Sequence, residues 1–113
     1  MITKRDDLIT INSIRQYAES NYHKDITIGS LCQQFNINRT KLQEGFNQLF
    51  GIPIHAFLFQ LRMDKARSLL RATNESIKVI AAECGYKSVS SFTRAFSKLN
   101  MVSPAQYRKQ FLS

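Results

Sequence analysis

The stretch CGYKSVSSFTRAF, Cys84 to Phe96, holds a turn, a run of small hydroxyl residues and two phenylalanines four apart. Phe92 and Phe96 at that spacing share one face of a helix, and they bury it. Thr93 and Arg94, between them, must point away from that face. The arrangement has an earlier copy. Leu42, Phe46 and Leu49 are matched by Phe92, Phe96 and Leu99, each 50 residues on. Ahead of them, Thr27, Ile28, Leu31 and Phe35 are matched by Ser76, Ile77, Ile80 and Cys84, each 49 residues on. A hydroxyl at the N-cap, then apolar residues one, four and eight places later, describes a short helix with one buried face. The offset changes in the turn, Asn36-Ile37-Asn38 against Gly85-Tyr86-Lys87-Ser88, where one residue has been inserted. Asn36 and Gly85 suit left-handed backbone, and Asn38 and Ser88 offer side-chain caps to the next helix. A short helix, a tight turn and a second helix with an apolar stripe make the helix-turn-helix pattern. It occurs twice.

The rest of the chain is also helical in its periodicity, with no convincing strand alternation. Ile11, Ile14 and Ala18 mark a leading amphipathic helix that fades near Asn21 and Tyr22. Between the copies runs PIHAFLFQLRMDKARSLLR, in which Pro53 suits the first helical position. Its nineteen residues would span about 28 Å as a helix. The first half, with Ile54, Phe57, Leu58, Phe59 and Leu61, is apolar nearly all round, so enclosure by both lobes is expected. The expected fold is all-α, two homeodomain-like helix-turn-helix lobes joined by a long linker helix. Residues 1–9 are expected as a tail, 10–52 as the first lobe with its leading helix, 53–72 as the linker helix and 73–113 as the second lobe.

Charge points to a partner. Residues 1–37 balance Lys4, Arg5, Arg15 and Lys24 against Asp6, Asp7, Glu19 and Asp25. Residues 38–113 carry the other twelve Lys and Arg against Glu44, Asp64, Glu75 and Glu83, so the formal charge of +8 lies entirely there. Such a surface favours a polyanion, nucleic acid before acidic membrane. No apolar run approaches the ~20 residues of a membrane span, and the start lacks a signal-peptide pattern. Cys32 and Cys84 form no C-x-x-C pair and read as reduced, buried small hydrophobes of a cytoplasmic protein. His23 and His55 lack metal-ligand spacing to any Cys, Asp or Glu, which leaves surface or capping roles. No phosphate loop, nucleophile elbow or paired-carboxylate site is present, so neither an enzyme nor a cofactor is expected.

The span from about Ile11 to Lys109 resembles the DNA-binding domain of AraC/XylS-type bacterial transcription regulators. The second copy, IAAECGYKSVSSFTRAFSKLNMVSPAQYR, follows the family pattern I-A-x-x-x-G-[FY]-x-S-x-S-x-F-x-R-x-F…G-x-S-P-x-x-Y-R. The linker FLFQLRMDKARSLL is similar to the family's Y-L-x-x-x-R-[LM]-x-x-A-x-x-L-L. The resemblance implies seven helices, with one recognition helix from each lobe in successive major grooves of double-stranded DNA. It further implies RNA polymerase as a partner, and Arg62 as a brace of the linker helix. Two positions depart from the pattern. Met101 stands where the family usually has Gly, at a helix end where left-handed backbone is usual. Glu44 stands on the first recognition helix where many members carry a base.

On the first recognition helix the stripe Leu42, Phe46 and Leu49 should face inward. Thr40, Gln43 and Glu44 are then the candidates for base edges, Gln43 through a bidentate pair with adenine and Glu44 through cytosine N4. Arg39, Lys41 and Asn47 are candidates for phosphates. On the second, Val89, Ser90, Thr93 and Arg94 face outward as base-edge candidates, Val89 towards a thymine methyl and Arg94 towards guanine or a phosphate. Lys87, Ser88 and Lys98 are the phosphate candidates there, Ser88 also serving as cap. The aromatics Phe46, Phe57, Phe92 and Phe96 sit at core spacing rather than at base-stacking positions, and Tyr107 is expected in the core with its hydroxyl at the rim.

The expected function is therefore sequence-specific DNA binding at an asymmetric site, by a domain monomeric on DNA. A protein-interaction adaptor using the basic face is the alternative; a docking surface needs no doubled lobe. The polar lead MITKRDD reads as the end of an interdomain linker. That suggests the C-terminal part of a longer protein, dimeric through a domain that precedes it.

Overall fold

In a computed structural model of the chain, which describes residues 5–111, all regular structure among those residues is helical. The order is α1 (Arg5–Asn21), α2 (Ile28–Phe35), α3 (Arg39–Phe50), α4 (Ile54–Ala72), α5 (Ile77–Glu83), α6 (Val89–Asn100) and α7 (Pro104–Lys109). The pairs α2–α3 and α5–α6 are the two helix-turn-helix motifs. Two compact units divide between Leu61 and Arg62, inside α4.

The first unit encloses Ile11, Ile14 and Ala18 of α1, Leu31 of α2, Ile37 of the turn, Leu42 and Phe46 of α3, and Ile54 and Leu58 of α4. Phe57 and Leu61 pack at the edge of the same cluster. In the second unit Met63, Ala66 and Leu70 of α4 are buried, with Ile80 and Ala81 of α5, Cys84, and Phe92 and Phe96 of α6. Phe96 meets the Tyr107 ring edge-on at 5.3 Å, and the Tyr107 hydroxyl accepts from Arg71 at 3.1 Å. Tyr107, expected in the core, is only half-buried, its ring against Phe96 and its hydroxyl at the margin. Truncating Phe46 or Phe92 to Ala would forfeit about 3–5 kcal/mol.

The repeat extends further than the two motifs. Ile11, Ile14 and Ala18 have counterparts in Met63, Ala66 and Leu70, each 52 residues on and each buried. The second half of α4 therefore does for the second unit what α1 does for the first.

The turns explain the repeat's register. Thr27 and Ser76 cap α2 and α5, accepting from the backbone N–H of Ser30 and Val79. Asn36 is left-handed at φ 51°, and Gly85 has φ 91°. After each, an N–H bonds back five residues, Ile37 to the Cys32 carbonyl at 3.1 Å and Tyr86 to the Ala81 carbonyl at 2.9 Å. These are matching Schellman closures, both at offset 49. The inserted residue must follow them, which identifies Lys87.

Several expectations need correction. The tail assigned to residues 1–9 is helical from Arg5 on, as α1 begins there with Asp6 and Asp7 in its first turn, where the helix dipole favours acids. Pro53 sits one place before the first helical position: its carbonyl accepts from Phe57 N–H at 3.0 Å, the bond that defines an N-cap. Leu49 and Leu99 are 40% and 45% exposed, so neither completes an inward stripe. In the last turn of α3 it is Phe50 that packs inward, 4.7 Å from the Phe46 ring. In α6 the last turn offers Asn100, which donates to the Phe96 carbonyl and accepts from Arg67. Cys32 is only half-buried, whereas Cys84 is fully enclosed.

Candidate nucleic-acid interface

Each recognition helix is held at its N-terminus by a side chain. Asn38 Oδ1 accepts from the Lys41 N–H at 2.8 Å, and Ser88 Oγ accepts from the Ser91 N–H at 3.1 Å. The Ser88 hydroxyl also donates to Ser91 Oγ at 2.9 Å. With the first turn fixed and Leu42, Phe46, Phe92 and Phe96 locked in the cores, the outer faces cannot rotate. Burial of these rings also rules them out as stacking platforms for bases.

On α3, Arg39, Thr40, Lys41, Gln43, Glu44 and Asn47 are all exposed. Thr40, Gln43, Glu44 and Asn47 fall at i, i+3, i+4 and i+7, a single stripe, and Arg39 and Lys41 flank its start. On α6 the same stripe is Ser90, Thr93, Arg94 and Ser97. Ser90 and Arg94 are exposed, while Thr93 and Ser97 are half-buried. Lys87, Ser88, Val89 and Lys98 are exposed around it. Each lobe thus gathers its predicted residues on one polar face, acidic at Glu44 in the first and basic at Arg94 in the second.

Two features of the first face are not carried by the helical periodicity of the sequence. A shallow open depression of about 300 Å³ is lined by Gln43, Glu44, Asn47, Pro53, Ile54 and His55. His55, read from sequence as surface or capping, therefore borders the outer stripe. Only the tight turn at Gly51, which brings the start of α4 back beside α3, hinted at it. The second feature is Asp7, whose Oδ2 lies 3.5 Å from Lys41 Nζ.

Burial, seconded by Glu83, pushes the Cys84 thiol up to about 11, so it stays protonated and inert. Burial likewise raises the Tyr86 hydroxyl, against a lowering by Arg62. Among the described residues no three His, Cys, Asp or Glu side chains gather as metal ligands, and no helix is long and apolar enough to cross a membrane.

Known proteins share this architecture. A family model described as a helix-turn-helix domain matches residues 31–110. The F1 operon positive regulatory protein of Yersinia pestis is 39% identical over 101 residues, which are 88% of this chain and 34% of that protein. The chain spans only 13% to 34% of the length of the curated relatives it matches first. The C-terminal domain of AraT, a response regulator from Geobacillus stearothermophilus, superposes with a TM-score of 0.85 at 33% identity, covering 89% of this chain and 84% of that one. The DNA-binding domain of AdpA, solved in complex with a target DNA, has a TM-score of 0.83 at 23% identity, covering 89% and 91%. With most of the chain inside the family model, and two helix-turn-helix motifs in the order of its helices, the protein belongs to the AraC-type helix-turn-helix family.

Proposed function

We propose that this chain is the DNA-reading part of a bacterial transcription regulator, inserting α3 and α6 into successive major grooves of an asymmetric duplex site. The observation that carries the reading is the doubled outer face. Two helices of equal length, 12 residues each, are capped at the same position and present unlike polar stripes. An adaptor surface has no use for two copies of a groove-sized helix. Family membership and the DNA bound to the AdpA domain support the same view.

Within it, Thr40, Gln43 and Glu44 read bases in one half-site, and Val89, Ser90, Thr93 and Arg94 read them in the other. Arg39, Asn47, Lys87, Ser88 and Lys98 lie against phosphates, and Lys41 stands beside them with its ammonium on Asp7. The domain acts as a monomer on its site, needs no cofactor and catalyses nothing. The complete regulator works in the cytoplasm, where the chromosome is, and contacts RNA polymerase. The Yersinia relative's name, a positive regulator of an operon, favours that contact.

A mobility shift with genomic DNA fragments and excess nonspecific competitor tests the reading. A discrete complex that survives the competitor is expected. Binding that vanishes with competitor would leave only a basic surface, and the adaptor reading would replace this one.

A further inference from the structure

Lys41 stands in the first turn of α3, flanking the stripe that faces outward. Its ammonium lies 3.5 Å from the carboxylate of Asp7, in the first turn of α1. The pair is half-sheltered: the Lys41 side chain keeps 44% of its exposure and Asp7 20%. Asp7 occupies the positive end of α1, where negative charge is favoured, with Asp6 beside it. The other charged groups near the start of α3 are Arg39, exposed, and Glu44, one turn further along the same helix. The carboxylate thus occupies the ammonium at the edge of the face that phosphates would approach.

We infer that Asp7 sets DNA affinity by withholding Lys41 from the phosphate backbone. This rests on the DNA-binding reading above and deepens it. A lysine that neutralises a phosphate releases a condensed counterion and strengthens binding to every sequence alike. Base contacts alone discriminate between sequences. Holding Lys41 on Asp7 therefore lowers attachment to bulk DNA and leaves base reading intact. A domain with twelve cations in its last 76 residues gains by this, since it is otherwise prone to sequestration on nonspecific DNA.

The test is fluorescence anisotropy on a duplex of arbitrary sequence over a salt series. The proteins are wild type, Asp7→Asn, Asp7→Glu, Lys41→Ala and the double variant Asp7→Asn with Lys41→Ala, with melting curves to confirm folding. Asp7→Asn should bind roughly two- to fivefold tighter at low salt, the worth of one partly exposed ion pair. Its plot of log affinity against log salt should steepen by about 0.9, one added phosphate contact. Asp7→Glu, which keeps the carboxylate, should keep the wild-type slope. Lys41→Ala should change little alone, yet cancel the gain in the double variant. An unchanged slope in Asp7→Asn would overturn the inference, as would a gain that survives in the double variant, because Asp7 would then act only through its general charge. If wild type binds no duplex even at low salt, the DNA-binding reading falls and takes this inference with it.

Discussion

Met101 carries the plainest local cost in the molecule. It ends α6 at φ 64°, a left-handed conformation, with its N–H bonded to the Ser97 carbonyl at 2.9 Å. Gly51 ends α3 in the same way, at φ 71° with a bond to the Asn47 carbonyl at 2.8 Å. The backbone geometry is shared, but only one copy has the residue that adopts it freely. The left-handed conformation costs a side-chain-bearing residue about 1–2 kcal/mol. Met101 recovers little of that by packing, being 84% exposed. Met101→Gly relieves the strain but gives the unfolded chain more freedom, so a net gain of about 1 kcal/mol is expected. A raised denaturation midpoint in urea, with the slope unaltered, is the expected result. Gly51→Ala is the converse. A Cβ there would meet nothing within 4 Å, so any loss of stability measures backbone strain alone. This strain was legible in the sequence, because Met101 stands where the family pattern has Gly, 50 residues after Gly51.

At the scale of the helices, sequence periodicity gave direction well and cover badly. Caps at Thr27, Asn38, Ser76 and Ser88 were readable because the cap chemistry is local. Leu49 and Leu99 have the inward spacing yet stay exposed, because helical spacing says which way a residue points, not whether anything lies opposite. The offset-52 match of α1 with the second half of α4 is hidden in the sequence by a change of register. The connection before α5 is shorter than that before α2, and α4 ends one place early against α1, so the register slipped. The pairing of Asp7 with Lys41 has no periodic signature at all. What sequence did define is the outer stripe of each recognition helix, and it frames a paired prediction. Glu44 and Arg94 occupy equivalent places, 50 residues apart, with opposite charge. Arg94→Ala should weaken binding to the preferred site by about 1–3 kcal/mol. Glu44→Ala should instead leave nonspecific affinity equal or higher, since an acid beside phosphates is removed, while base preference at its position relaxes. Selecting sites from a random library with each variant reads both effects. A Glu44→Ala profile identical to wild type would show that Glu44 reads no base.

For the molecule as a whole, the duplication makes a prediction that neither lobe makes alone. A protein that reads DNA through two copies of one motif can do so symmetrically only if the copies present the same chemistry. Here they do not: Thr40, Gln43 and Glu44 stand against Ser90, Thr93 and Arg94. The first set offers an amide and a carboxylate, able to pair with adenine and with cytosine N4. The second offers two hydroxyls, tolerant of many bases, and one guanidinium suited to guanine. Because both copies lie in one chain, the order of the half-sites is fixed by the order of the lobes. The preferred site should therefore be non-palindromic, about two helical turns long, and occupied by one molecule. The first lobe should supply more of the sequence choice. Variants confined to α3 should blur one half of the selected site, and variants confined to α6 only the other. Footprinting of wild type, Gln43→Ala and Thr93→Ala on the selected site measures this. Protection of about one turn by the wild type, or an optimum that is palindromic and requires two molecules, would mean that the lobes do not read DNA as a pair.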